Sequence, residues 1–497
     1  MSKATGEIPT EVFDMMAKAE ASRLALDDLA FEYACQLRGL TVNGSRRFEP
    51  GASWSADGDE FDVNTMNEEF AVVLSGGSAM IVRERFDAPV EDRLRFVRVD
   101  AFKTLFQNRY KTVRGPDGKE KEITWATAWL GHPARRQYDG LEFHPDPAGS
   151  GGTGGYLNLW QGFAFDRKKG GTYTLFKDHL LSNVCNGDNG LFRWIFGWFA
   201  QIFQEPREKP GTSLVFRGSM GVGKSKIGEI IGELLGGHYF QVDDPRYITG
   251  QFNHHMAACL LLQAEEAVWA GDKTAEGRLK GLITSKTQMI ESKGIDPIRL
   301  PNYVRVIQTS NEDWVIPAGK DERRFAVFDV LPTCANNHAY FRQMDDELRN
   351  GGYETLLHDL LSFDLSGLNL RDIPKNGALL DQKIRSLDPI EAWVLERLRS
   401  GAPTKKHSGW PEYVTTEALR DDYIRSSEEV GIKRKAQEVT FGSKIMKLLP
   451  GIARKKRVVE TDEGGATTRV WVYEFPSLED CRSRFEGVLG QVYNWNE

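Results

Sequence analysis

The protein has 497 residues, 40% of them hydrophobic and 27% charged, a balance that excludes disordered and fibrous chains. The length exceeds what one hydrophobic core usually serves, so roughly two to four domains are expected. A net charge of −7 excludes a coat of basic surface, and any nucleic-acid contact has to come from local patches or from a channel formed by assembly.

The five cysteines, Cys35, Cys185, Cys259, Cys334 and Cys481, are far apart and form no CxxC pair. Neither a zinc ribbon nor a disulfide framework is expected, and the thiols read as reduced cysteines of a cytoplasmic protein. Met1 is followed by the polar stretch SKATGEIPTE, and no segment approaches the ~20 apolar residues that span a bilayer. No membrane partner is expected.

In chain order, the spacing of Val12, Phe13, Met16, Leu24, Leu26 and Leu29 predicts helix between Pro9 and Leu40, before a Gly/Ser/Asp-rich stretch from Gly44 to Asp62. Residues 1–65 are therefore read as a helical arm and flexible loop. From Glu69 two β-rich runs flank Ser75, Gly76, Gly77 and Ser78, a hairpin signal. Residues 66–185, with Trp125, Trp129, Tyr138 and Phe143, are read as a mixed α/β domain, assigned from position alone to an oligomerisation collar. The loop DPAGSGGTGG lacks a GK pair and opens no helix, so it is read as a flexible connector. Asn189 to Phe203 predicts an apolar helix of about four turns, too short for a membrane span and suited to a core.

Gly218 to Ser225, GSMGVGKS, fits the phosphate-loop pattern GxxxxGK[ST]. Its context fits too: Ser213 to Arg217 is a short apolar strand, and Ile227, Ile230, Ile231, Leu234 and Leu235 share one helical face before the stop at Gly236 and Gly237. Backbone N–H groups of Gly218, Ser219, Met220, Gly221, Val222 and Gly223 would close on phosphates at a helix start. Lys224 would hold the β- and γ-phosphates of ATP, and Ser225 magnesium (Mg2+). The plain alternative is a glycine turn before a surface helix.

Such a loop needs an acid at the end of a neighbouring strand. Met256 to Glu266, MAACLLLQAEE, reads as a buried strand ending in two carboxylates: Glu265 for magnesium, Glu266 to polarise the attacking water. Alternatively they are solvated glutamates at a strand end. A third strand, Val304 to Thr309, runs into Ser310 and Asn311; Asn311 could bond the γ-phosphate or the water, although asparagine is common in turns. Asp321 to Phe325 reads DERRF, and Arg323 or Arg324 could reach a neighbouring subunit's ATP, or could simply pair with Asp321 and Glu322 on the surface.

Beyond Asp364 the text loosens. Helices are predicted at Pro389 to Arg399, Thr416 to Ser426 and Val439 to Leu449, followed by two β-runs around Asp462 to Ala466. That is the order of a winged helix, shared by other small α/β domains, and 376–497 is read as a winged-helix-like α+β domain. It carries the densest basic runs, Lys433, Arg434 and Lys435, and Arg454, Lys455, Lys456 and Arg457. These suit nonspecific binding of duplex or forked DNA, or else form a solvated charged face.

Together, GSMGVGKS, LLLQAEEAVW, TSKTQMIESKG, the strand ending in QTSN, and DERRF resemble the superfamily 3 helicases of phages, plasmids and small DNA viruses. More closely they resemble the helicase module of phage and prophage primase-helicase proteins. The resemblance covers about Gly211 to Val330, and more loosely extends up through YLNLWQGFAF and down to Leu356. It implies an α/β, AAA+-like motor core over 186–375, a parallel sheet with flanking helices. It further implies a homo-oligomeric ring, usually a hexamer, that hydrolyses ATP with magnesium and moves along single-stranded DNA, in a bacterial host's cytoplasm if phage-encoded. It also implies a hairpin between the acid pair and the third strand whose basic residue touches DNA; Lys293, beside Gly294, matches by position, although a lysine next to glycine is commonly just a solvated turn.

Two departures stand out. Glu265 takes a place where many relatives have aspartate, which moves the carboxylate by one methylene. Residues 1–200 show no constellation of metal-binding carboxylates with a histidine, Asp57 and Asp59 being the only DxD there. Synthesis activity is not expected, and a separate primase or polymerase would act in trans. Two rival readings share the ATPase residues: an AAA+ machine that remodels protein or loads another replication factor, and an initiator or defence protein whose assembly ATP switches. Strand separation distinguishes the helicase from both.

Overall fold

The computed structural model describes residues 60–497 apart from 86–92, 150, 251–252, 267–272, 293–294, 432–435, 461–466 and 496–497. The helical arm, Asp57, Asp59, Lys293, Lys433, Arg434 and Lys435 lie outside the described residues. Among the described residues no helix is long and apolar enough to cross a membrane.

Helix α1 (Val63–Glu69) starts at Asp62, whose carboxylate accepts from the amides of Asn64 and Thr65, satisfying donors that a helix start leaves open. The expected hairpin follows as β1 (Phe70–Ser75) and β2 (Ser78–Glu84). β3 (Leu94–Arg98) pairs antiparallel with β2, and β6 (Gln137–Tyr138) pairs parallel with β1. Between them lie α2 (Val99–Leu105), the hairpin β4 (Tyr110–Arg114) and β5 (Glu120–Thr124), and α3 (Trp125–Leu130). The aromatic text of this region builds a core: Phe102 lies 5.1 Å from Phe70 and 5.2 Å from Trp129, ring centroid to centroid. The DPAGSGGTGG loop joins two short parallel strands, β7 (Gly140–Glu142) and β8 (Tyr156–Asn158).

Helix α4 (Asn189–Gln204) is buried from Trp194 to Ala200, as its apolar text predicts. Gly197 lets it approach the chain near Leu368, where a methyl group would sit 2.6 Å from the leucine. The central sheet then forms from β9 (Ser213–Arg217), β10 (Tyr239–Val242), β11 (Leu261–Glu265), β14 (Arg305–Ser310) and β15 (Phe325–Asp329). Its order is β10-β11-β14-β9-β15, and every pairing is parallel. Such a sheet is covered on both faces, so its strands read as nearly continuous apolar runs; β14 is buried at all six positions. Helix α5 (Lys224–Leu235) follows β9, and α6 (Lys273–Thr284) with the hairpin β12 (Thr287–Ser292) and β13 (Ile295–Pro301) is inserted between β11 and β14. That hairpin stands where the resemblance places one.

The acid strand is shorter than the sequence suggests. His254–Met256 form a 3-10 turn, and pairing with β10 begins only at Leu261, opposite Tyr239. The first residue of β14 was not anticipated: Arg305, 1% exposed, donates to the carbonyls of Pro206, Tyr303 and Glu205 at 3.0–3.1 Å, fastening the turn-rich lead into the sheet.

Helices α7 (His338–Glu347), α8 (Tyr353–Ser362) and α9 (Gly377–Arg385) follow β15. One buried cluster spans Ala71 to Leu379, and a second spans Ile390 to Tyr493. The second is built by α10 (Pro389–Ser400), opened by a capping box of Asp388 and Glu391, then β16 (Tyr413–Thr415), α11 (Thr416–Glu429), α12 (Glu438–Leu448), β17 (Ala453–Glu460), β18 (Thr467–Glu474) and α13 (Leu478–Leu489). The three helices and the hairpin stand where the sequence predicts them. β16, which pairs with β18, and α13 are additions that the periodicity did not single out.

Candidate functional site

Because β14 lies between β9 and β11, three neighbouring parallel strands end side by side: β9 in the glycine loop, β14 in Asn311, β11 in Glu265 and Glu266. The carboxyl edge of a parallel sheet is where ligands of such folds bind. A cleft of about 430 Å³ opens there, lined by Gly221, Gly223, Lys224, Ser225, Glu265, Glu266, Thr309 and Asn311. That volume is within the ~300–1,000 Å³ range of small-molecule sites.

The glycine loop is shaped by packing beneath it. Gly223 has φ of 91°, and a methyl group there would meet Phe341 at 2.7 Å and His179 at 2.9 Å. Cys334 Sγ lies 3.6 Å from the Val222 carbonyl. Burial pushes the His179 imidazole down to about 4, so it stays neutral under the loop, although the Gly223 backbone and Asp178 pull the other way. Gly221, with φ of 78°, receives the Asn336 amide on its carbonyl at 3.0 Å.

Lys224 is 7% exposed and is the first residue of α5. Its ammonium donates to the carbonyls of Gly218 at 2.9 Å and Ser219 at 2.8 Å and to Asn311 Oδ1 at 2.7 Å. Burial lowers its pKa, and Glu266 and Glu265 oppose that shift. Asn311 Nδ2 in turn donates to Glu266, so cation, amide and carboxylate form one chain across the three strand ends. Glu266 lies just past β11 with φ of 50°, its amide bonded to the Thr309 carbonyl at 3.0 Å. A non-glycine residue in that region carries strain, and here the turn separates Glu266 from the in-line course of Glu265.

Glu265 is held by a residue the sequence reading passed over. Gln263 Nε2 donates to Glu265 at 2.6 Å and to the Ser225 carbonyl at 3.1 Å, and its Oε1 accepts from the Tyr239 hydroxyl at 3.0 Å. Its signal in the sequence is a single polar residue inside an apolar run, which the structure buries fully. Gly228 makes room for it, since a methyl group there would overlap the amide at 1.7 Å. The Ser225 hydroxyl and Glu265 carboxylate are oxygen donors of the kind a hard divalent cation takes. Lys226, Glu229, Asn336, His338 and Phe341 also border the cleft; α7 and the segment before it carry no motif that would have identified the last three.

Arg323 and Arg324 are elsewhere. β15 pairs with β9 from Phe325 opposite Ser213 to Asp329 opposite Arg217, so the arginines precede the strand at the end remote from the glycine loop. About five residues of strand, roughly 17 Å, separate them from their own cleft. The backbone amides of both are bonded by Glu322 Oε1, at 3.0 and 2.7 Å.

The four basic residues of β17 divide by strand alternation. Lys455 pairs with Glu474 at 2.7 Å, and Arg457 with Glu474 at 2.8 Å and Glu412 at 2.9 Å. Arg454 and Lys456 lie against the Trp471 ring instead.

Residues 216–324 match the model of a family of unknown function (DUF5906), a segment that contains the glycine loop, the acid pair, Asn311 and both arginines. In sequence the chain is similar to the DNA primase-polymerase of Nitratiruptor phage NrS-1, 25% identical over 225 residues. The aligned part is 44% of this chain and spans only 30% of that relative's length. In structure the chain is similar to the apo C-terminal region of NrS-1, with a TM-score of 0.60 at 15% identity, covering 83% of this chain and 98% of that one. A second apo structure of the region, the A form, gives 0.59 at 14% identity with the same coverage. The chain is thus related in sequence to a phage DNA primase-polymerase and shares the mixed α/β fold of the NrS-1 C-terminal region.

Proposed function

We propose that the protein is a magnesium-dependent ATPase that works as a DNA helicase in phage replication, as a ring of copies on single-stranded or forked DNA. The observation that carries this reading is the chain Lys224–Asn311–Glu266 across three adjacent strand ends, beside a glycine loop that opens a helix. The relation to a phage DNA primase-polymerase supports DNA as the partner.

On this reading ATP lies in the cleft with its phosphates against the loop amides and the start of α5. Lys224 exchanges its carbonyl partners for β- and γ-phosphate oxygens, so the cation is poised before substrate arrives. Ser225 and Glu265 would hold magnesium, which when bound neutralises phosphate charge. Gln263 fixes the Glu265 carboxylate relative to α5. Glu266 takes the proton of the attacking water, and Asn311, already bonded to it, orients that water. Arg323 and Arg324, too far from their own cleft, serve the cleft of the next subunit, where an arginine stabilises the charge of phosphoryl transfer. Lys293, Lys433, Arg434, Lys435, Arg454 and Lys456 are assigned to DNA, whereas Lys455 and Arg457 are taken up by Glu474 and Glu412.

The test is unwinding of a forked duplex by purified protein with ATP and magnesium. Wild type should separate the strands and Lys224→Ala should not. ATP turnover without strand separation would instead favour a machine directed at protein.

A further inference from the structure

The two faces of the β17–β18 hairpin differ in a way that the basic run RKKR does not reveal. The register sets Arg454 opposite Tyr473, Lys456 opposite Trp471 and Val458 opposite Arg469, and opposed residues of an antiparallel pair share a face. Toward the domain core that face is closed, since Tyr473 is 4% exposed. Further out it is open: Trp471 is 43% exposed and Val458 63%, and Arg469 is exposed. The Arg454 guanidinium lies 4.7 Å and the Lys456 ammonium 5.0 Å from the Trp471 ring. Among the described residues neither cation has a carboxylate partner, whereas Lys455 and Arg457 on the other face are paired with Glu474 and Glu412.

Trp471 leaves a large apolar ring partly in water, and two unneutralised cations against it add positive charge to a flat apolar surface. The complementary partner is a polyanion that also offers flat apolar faces. Single-stranded DNA has both, because its unpaired bases stack on aromatic rings and guanidinium planes while its phosphates meet cations. A duplex keeps its base faces covered.

We propose that this face of the hairpin is a single-stranded DNA contact, in which an unpaired base stacks on Trp471 and Arg454 while Lys456 and Arg469 take the flanking phosphates. It rests on the reading of the protein as one that acts on DNA. The test is fluorescence anisotropy of the full chain, without nucleotide, with a labelled thymidine oligonucleotide, an abasic strand of the same length and a blunt duplex. Trp471→Ala should weaken thymidine-strand binding about tenfold, the effect of losing a stacked base, while Trp471→Phe, which keeps a ring, stays within about threefold of wild type. Lys455→Ala, which removes a cation already neutralised, should change binding less than about twofold. Wild type should bind the abasic strand about tenfold more weakly than the thymidine strand, and Trp471→Ala should not differ from wild type on it. Equal thymidine-strand affinity of wild type and Trp471→Ala would overturn the proposal, as would wild-type binding indifferent to the loss of bases. No binding of any DNA by wild type, together with ATP turnover indifferent to DNA, would overturn the underlying reading as well.

Discussion

Asn311 joins the cation of the cleft to its second carboxylate, accepting from Lys224 at 2.7 Å and donating to Glu266. Asn311→Ala removes both contacts and leaves Lys224 its two carbonyls. A hydrogen bond to a charged group contributes about 1.5–3 kcal/mol. If the pair is felt chiefly when the water is oriented, a loss of about 3 kcal/mol is expected in the transition state, near 10²-fold in kcat. KM for ATP should move less than about threefold, because the phosphate-binding groups remain. Asn311→Asp keeps the shape but sets a second carboxylate against Glu266. Two touching carboxylates resist joint ionisation, so the pair retains a proton and the acidic limb of the kcat profile moves to higher pH. Steady-state ATP hydrolysis across pH measures both. An unchanged kcat with a raised KM in Asn311→Ala, or superimposable pH profiles for wild type and Asn311→Asp, would refute the role given to Asn311.

Gln263→Leu leaves Glu265 without its donor and the Tyr239 hydroxyl with only its longer contact to Gln241 at 3.5 Å; the magnesium concentration for half-maximal turnover should rise about tenfold, as for loss of other groups that orient a metal ligand, and an unchanged magnesium titration would count against it. His238 is pushed down to about 4 by burial, with its bond to the Ala258 backbone opposing; Nδ1 donates to the Ala258 carbonyl and Nε2 accepts from the Gln161 amide at 3.1 Å. A folded pKa below the unfolded ~6.5 means that the neutral group's full contribution is present above that pH and is lost as pH falls toward 4, at up to ~1.4 kcal/mol per unit. Urea unfolding should therefore show wild type losing more stability than His238→Phe between about pH 7 and 5, and equal losses would refute this. Arg217→Leu removes the ion-pair partner of Asp329 and leaves Asp381 with Arg385 alone, and should cost about 1–3 kcal/mol in the same assay; an unaltered midpoint would show the pairs to be neutral.

Local chemistry made the segment around the glycine loop legible. Ser213 to Arg217, the glycine loop and the one-faced helix from Lys224 to Leu235 are set by short-range pattern, as are the Ser75–Ser78 turn and the three helices of the last domain. What the pattern could not carry is the order in which strands lie. Nothing in Val304 to Asn311 says that this strand sits between β9 and β11, and only that order brings Asn311 to Lys224 and Glu266. Gln263 was passed over because a single polar residue in an apolar strand has no periodicity of its own. Glu265 and Glu266 are assigned separate roles from the text, but their divergence in space comes from the left-handed backbone of Glu266, which the text does not announce. The distance of Arg323 and Arg324 from their own cleft is fixed by the register of β15 on β9, which no local pattern in DERRF carries. In RKKR, four like charges in the text become two paired and two displayed once the strand alternates.

ATP hydrolysis by the purified protein, with and without single-stranded DNA, bears most directly on the central claim that this cleft is a DNA-coupled motor site. The account predicts magnesium-dependent turnover that rises several-fold, on the order of tenfold, with DNA, and that Lys224→Ala abolishes. Robust turnover indifferent to DNA, or turnover that survives in Lys224→Ala, would contradict it.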